Sequence, residues 1–360
     1  MIVNLRPHFL RSAHLLCSMV RRCRCLLYCF LGFVVPCFGW VGRNPKISRT
    51  QLRWSREYDA EIRTTKIESP RLWLESLPDG AYTVLRCDYP SMKLWGLEFH
   101  LERLQESYRC LVGDVEGVAD AVEYTEQVLD DLMQEATKEL PYLLSPRNAN
   151  AILMLTTLWY PTDMGAISVR GHMYSDATPT DLWIAPRSAS VVLALSNDAL
   201  PNRYENDPEA KQSSWCTNRR VLEEMWPDAD DIVLVETSGG IVHLLEDLTS
   251  NLWFVYPGNV LRTAPRGVLP GYSRQLVQEY GPRLGLRVED IPVSLHERGF
   301  WEEVFLTSSI RLVVPVDEIR IPNKDGEGQV LWTRERDYSE DSTWKRIRDT
   351  LLQEELRELY

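Results

Sequence analysis

No aspartate or glutamate occurs before Glu57, whereas the stretch ahead of it carries nine arginines and Lys46. That break limits how much of the 360-residue chain can join one folded body. The net charge of −12 divides into +10 before Glu57 and −22 from there on. An acidic body of this kind repels nucleic acid and anionic membrane, whose binding rests on clustered Lys and Arg. Within the basic stretch, Arg6, Arg11, Arg21, Arg22 and Arg24 precede an apolar run from Leu26 to Val41, interrupted by Pro36. That run falls short of the roughly 20 residues a spanning helix needs. Basic residues ahead of a short apolar core, without acids, read as a presequence. Residues 1–56 are therefore expected to be a cleaved organellar targeting segment, for a plastid or a mitochondrion, with no stable membrane association after processing. A retained membrane anchor and a cytoplasmic chain are the alternatives.

The remainder is long enough for two hydrophobic cores. Apolar residues at 44% and charged residues at 26% are ordinary for a globular chain. Only Cys87, Cys110 and Cys216 fall in the body, widely spaced, so neither a disulfide framework nor a metal site is expected.

Apolar spacing predicts helices over Leu97–Gly113 and Val118–Leu140, the second stopped near Pro141. Ala151–Tyr160 and Ala166–Met173 read as neighbouring strands, and Ser190–Leu195 as the last strand of a first domain. Ser196–Ala210 is polar and holds two prolines, which suits a connection between domains. Beyond it, a helix is expected over Ser213–Met225, and a hairpin joins Asp231–Glu236 to Ile241–Leu245 through Ser238-Gly239-Gly240. Leu252–Val255 and Asn259–Arg262 flank a second turn. Gly271–Gly285 is expected to be helical, Glu297–Trp301 a short helix, Val304–Leu306 a strand and Ser339–Tyr360 a last helix. The class is mixed α/β. No glycine-rich phosphate loop follows a strand, which argues against dinucleotide or ATP chemistry.

Four segments carry the remaining information: Phe99–Ser107 (FHLERLQES), Asp207–Trp215 (DPEAKQSSW), Glu236–Val255 (ETSGGIVHLLEDLTSNLWFV) and Val268–Val316, which opens VLPGYSR and ends EVFLTSSIRLVVPV. In this order they resemble the class IV (fold type IV) pyridoxal-phosphate-dependent aminotransferases. That family includes branched-chain and D-amino-acid aminotransferases and aminodeoxychorismate lyases. The resemblance implies a smaller N-terminal lobe (57–190), a larger C-terminal lobe (191–360) with the cofactor between them, and a homodimer. It implies pyridoxal 5′-phosphate as cofactor and an amino acid with a 2-oxo acid as substrates. A lyase acting at the same site and a family member that has lost catalysis are the other readings.

The same resemblance assigns roles to residues. Lys211 falls at the cofactor-bearing lysine, a role that needs an amine partly deprotonated by desolvation and neighbouring cations. Arg103 falls at the arginine of the family's H-L-x-R-L element, where a planar guanidinium matches a phosphate bidentately. Glu246 and Asn251 fall in the E-G-x-x-x-N element, whose carboxylate keeps the pyridine nitrogen protonated. Tyr272 and Ser273 stand at a helix start, whose free amides suit an anion, and Ser309 corresponds to a phosphate-binding hydroxyl. Two positions depart from the pattern. Asp247 replaces the usual glycine, and Cys216 stands where branched-chain members carry a tyrosine.

Overall fold

The computed structural model describes residues 52–57, 63–64, 69–143, 151–175, 189–194, 207–321, 328–334 and 341–357. Most of the expected presequence, and the expected connection before Asp207, lie outside them.

The first sheet has six strands, all paired antiparallel: β1 (Leu52–Glu57), β2 (Arg63–Thr64), β3 (Ala81–Tyr89), β4 (Lys93–Leu94), β5 (Ala151–Pro161) and β6 (Ile167–Ser175), in the order β2-β1-β6-β5-β3-β4. β1 runs beside β6 with Leu52 opposite Ser175, so the last residues of the stretch expected as presequence belong to the folded sheet. Basic composition concealed this, because a strand's partner need not lie near it in sequence.

Three helices accompany this sheet: α1 (Pro70–Glu75), α2 (Leu97–Val112) and α3 (Val118–Leu143). α2 buries His100, Leu101, Arg103, Leu104, Ser107 and Tyr108, a stripe at three- and four-residue spacing. α3 adds Val128, Leu129, Leu132 and Ala136, and continues through Pro141 instead of stopping there. Leu153, Leu155 and Trp159 of β5 pack against these helices, while Leu158 and Tyr160 face a separate cluster with Trp73 and Leu74. Coverage on both faces explains the nearly unbroken apolar run of β5. Trp159, fully buried, meets Tyr108 edge-on and donates from Nε1 to Thr125 Oγ1 at 2.7 Å.

The second sheet has ten strands: β7 (Ala189–Ala194), β8 (Asp231–Ser238), β9 (Ile241–Asp247), β10 (Asn251–Tyr256), β11 (Val260–Thr263), β12 (Arg287–Glu289), β13 (Val293–Ser294), β14 (Glu303–Ser308), β15 (Leu312–Ile321) and β16 (Gln329–Thr333). β7 lies between β15 and β8, parallel to both, so it opens this sheet instead of ending the first. Its apolar residues suit a strand buried on both faces and name no partner. The order β10-β14-β15-β7-β8-β9 closes on itself through one pair, Asn251 opposite Glu246.

Leu252, Phe254 and Tyr256 face one cluster of this ring. Trp253 and Val255, on alternate positions, face another that includes Leu276 and Val277 of α6 (Tyr272–Tyr280) and Trp344, Ile347 and Leu351 of α7 (Thr343–Arg357). Between β7 and β8 the chain forms α4 (Ser214–Asn218) and α5 (Arg220–Met225), two short helices broken at Arg219 where one was expected.

Candidate active site

A cavity of about 430 Å³ opens where α4, the β9–β10 turn, the start of α6 and strand β3 meet. Lys211, Arg103, Glu246, Asn251 and Ser309 all line it. The side chains of Tyr272 and Ser273 do not. Tyr272 turns away, donating from its hydroxyl to Glu355 at 2.7 Å, and only Gly271 and Leu269 bring the α6 start to the wall. Gly271 is required there, since a Cβ would stand 2.2 Å from Asn251 Oδ1.

Lys211 is anchored through its backbone, so its side chain is free to serve the cavity. Its amide donates to Ser107 Oγ at 2.9 Å, and its carbonyl accepts from the Tyr82 amide at 2.9 Å. Nζ lies 4.8 Å from the centroid of the Tyr82 ring. Burial, followed by the positive charge of Arg103, brings this amine down from 10.5 to about 7, while Glu246 pulls the other way.

Arg103 is 7% exposed and donates to Pro270 O at 3.1 Å and Thr83 Oγ1 at 2.9 Å. Burial lowers its pKa to about 10, which still leaves it charged at neutral pH. His100 lies beneath it, its Nδ1 3.1 Å from the guanidinium and 2.7 Å from Thr83 Oγ1. Burial and Arg103 hold that imidazole well below its usual range, so it is neutral and accepts at Nδ1.

On the facing wall, Glu246 Oε2 accepts from the Leu269 amide at 3.1 Å and from Asn251 Nδ2 at 3.2 Å. Asn251 spends its other amide hydrogen on Leu269 O at 2.8 Å. This carboxylate is therefore positioned by the pair that closes the ring.

Both departures from the family pattern have a local explanation. Asp247 is not among the positive-φ residues, so its backbone accommodates a side chain. Its carboxylate accepts from the amides of Ile232 and Thr249 at 3.1 and 3.0 Å and closes the turn into β10. Arg311 ties that turn to the one after β14, donating to Ser250 Oγ at 2.7 Å and Asp231 Oδ1 at 3.1 Å. Burial, then the nearby Asp247, raises the Asp231 carboxyl to about 7. Cys216 is buried, with its thiol 4.0 Å from Tyr82 Oη, in the cluster that joins α4 to β3 and β5. Tyr82, Arg219 and Arg311 also line the cavity and escaped sequence reasoning. The basic pair Arg219-Arg220, one helical stretch after Lys211, was the available signal.

A buried lysine with a low pKa, facing a fixed carboxylate beside a helix start and an arginine, defines an amine-centred site on a mixed α/β frame. The sequence profile of amino-transferase class IV matches residues 80–319, and the chain belongs to this family. Its fold is similar to that of a fold IV transaminase from Curtobacterium pusillum, with a TM-score of 0.59 and 18% identity, covering 86% of this chain and 99% of that one. It is similar also to a hypothetical aminotransferase from Mycobacterium tuberculosis in its PLP-bound form, with a TM-score of 0.57 and 18% identity over 84% of this chain and 98% of that one. Among curated proteins, branched-chain-amino-acid aminotransferase 6 of Arabidopsis thaliana is 29% identical over 116 residues, 30% of this chain and 32% of that protein. The matched stretch thus spans about a third of that relative's length.

Proposed function

We propose that this chain is a pyridoxal-phosphate-dependent aminotransferase acting on an amino acid and a 2-oxo acid, with Lys211 bearing the cofactor. The observation that carries this reading is the Lys211 amine, buried in the cavity and brought to about 7 by desolvation and Arg103. A lysine on an open surface would be almost wholly protonated at neutral pH and unable to attack a carbonyl.

The residues present fit the cofactor. Arg103, which reaches Pro270 O just ahead of α6, keeps a buried Nε without a hydrogen-bond partner, and a leftover donor beside a helix start suits a phosphate. When bound, pyridoxal phosphate supplies an aldehyde carbon for an amine and a ring that accepts electron density from the substrate's α-carbon. Arg103, the α6 start and Ser309 would hold its phosphate, and Glu246 its ring nitrogen. Lys211 Nζ would be the base that takes the substrate's α-proton and later returns it. Tyr82 presents an aromatic face to this amine.

Lys211→Ala decides the matter. The variant should still retain cofactor through its phosphate contacts, but borohydride should no longer fix it to the protein. Labelling that persists and maps to another lysine would overturn the assignment.

A further inference from the structure

Next to Lys211 lies a cluster of charges whose balance is uneven. It comprises three guanidinium groups, Arg71, Arg219 and Arg220, and two carboxylates, Glu75 and Glu223. Each nitrogen of Arg71 already donates once, Nε to Glu75 at 2.9 Å, Nη1 to Glu223 at 2.5 Å and Nη2 to Cys216 O at 2.8 Å. Arg220 pairs with Glu75 at 2.6 Å and is about half exposed, so water completes its solvation. The surplus positive charge therefore falls on Arg219.

Arg219 sits at the break between α4 and α5, with a side chain only 13% exposed. Its Nε comes within 3.1 Å of Glu223 Oε1 but without the alignment of a hydrogen bond, and no other described residue bonds to the guanidinium. It lines the same cavity as Lys211, and its charge is felt by both Lys211 and Tyr82. Its Nε is buried without a hydrogen bond, and a guanidinium so placed costs free energy unless an anion completes it. Leu74, Val84, Met154 and Leu248 give the same cavity apolar surface beside its charged residues.

We infer that Arg219 is the anchor for the substrate's carboxylate, selecting amino and 2-oxo acids with apolar side chains over neutral amines and carbonyl compounds. The inference rests on the reading of Lys211 given above and extends it, since it places a second anion site beside the amine, distinct from the one formed by Arg103, Ser309 and the α6 start. The guanidinium would meet a carboxylate with two parallel N–H donors, a geometry that lysine cannot reproduce.

The test uses the full chain loaded with pyridoxal phosphate, with α-ketoisocaproate and its methyl ester as probes and binding measured by calorimetry. The parent should prefer the acid. Arg219→Gln should weaken the acid by about tenfold to a hundredfold, the scale of a lost charge-assisted pair, and leave the ester unchanged. Arg219→Lys should restore part of the loss, and Arg220→Gln, which removes a neighbouring charge outside the cavity, should bind like the parent. Equal losses for acid and ester in Arg219→Gln, unchanged acid affinity, or a parent without preference would each overturn the inference. Borohydride fixation in each variant separates the two claims, because its absence from the parent counts against the cofactor reading while acid selectivity still reports on Arg219.

Discussion

On the ring side of the cavity, Glu246 and Asn251 are fixed by one backbone amide, one backbone carbonyl and each other. Across it, Arg103 keeps one buried nitrogen unpartnered, and Arg219 has an ion pair without an aligned hydrogen bond. The first wall has its geometry from strand pairing, since Asn251 stands opposite Glu246 where β10 meets β9. The second holds Lys211, whose affinity for a proton is lowered by burial first and then by the charges of Arg103 and Arg219. On one wall Glu246 and Asn251 bond each other and the Leu269 backbone, and on the other Arg103 and Arg219 each keep a buried Nε without a hydrogen bond. Substitutions on the two walls should therefore fail in different ways.

The largest effect expected in this comparison is on the ring side. Glu246→Gln keeps the size of the side chain and its Leu269 contact but removes the charge. Cofactor should stay fixable by borohydride, while turnover falls on the order of a hundredfold, the scale of losing one preorganised electrostatic partner. A variant that lost cofactor instead of rate would show that this wall serves binding.

Arg103→Ala should do the reverse, weakening cofactor retention by about 1.5–3 kcal/mol with a smaller change in the rate of the loaded enzyme. Dialysis against buffer, followed by absorbance of the retained cofactor, measures it. Unchanged retention would show that Arg103 does not hold the cofactor.

The smallest effect is a pH dependence. The Lys211 amine falls from 10.5 to about 7, so its reactive neutral form predominates above that value and declines below it. Capture of pyridoxal phosphate by the cofactor-free protein should climb with pH and level off above about 7, and a stopped-flow profile records it. A rate still climbing steeply well above that value would show that burial and the neighbouring cations do not depress the lysine.

The helices α2 and α3 were legible in the sequence because their buried residues recur every three or four positions, a pattern contained within each helix. The hairpin β8–β9 was legible for the same reason, its turn residues lying between the two strands. Lys211, Arg103, Glu246, Asn251 and Ser309 could be named from the order and wording of four segments, and the structure brings all five to one cavity. Tyr272 and Ser273 were named for their amides at the α6 start, and their side chains turn from the cavity because which way a helix presents its first turn depends on what packs beneath it. The placement of β1 against β6 and of β7 between β15 and β8 was beyond local pattern, since strand partners are chosen by contacts distant in sequence. The sequence by itself determined five of the side chains this site contains, Lys211, Arg103, Glu246, Asn251 and Ser309. Only the tertiary structure decided which of the arginines beside Lys211 is left short of partners, because that depends on how Arg71, Glu75 and Glu223 meet across two separate helical segments.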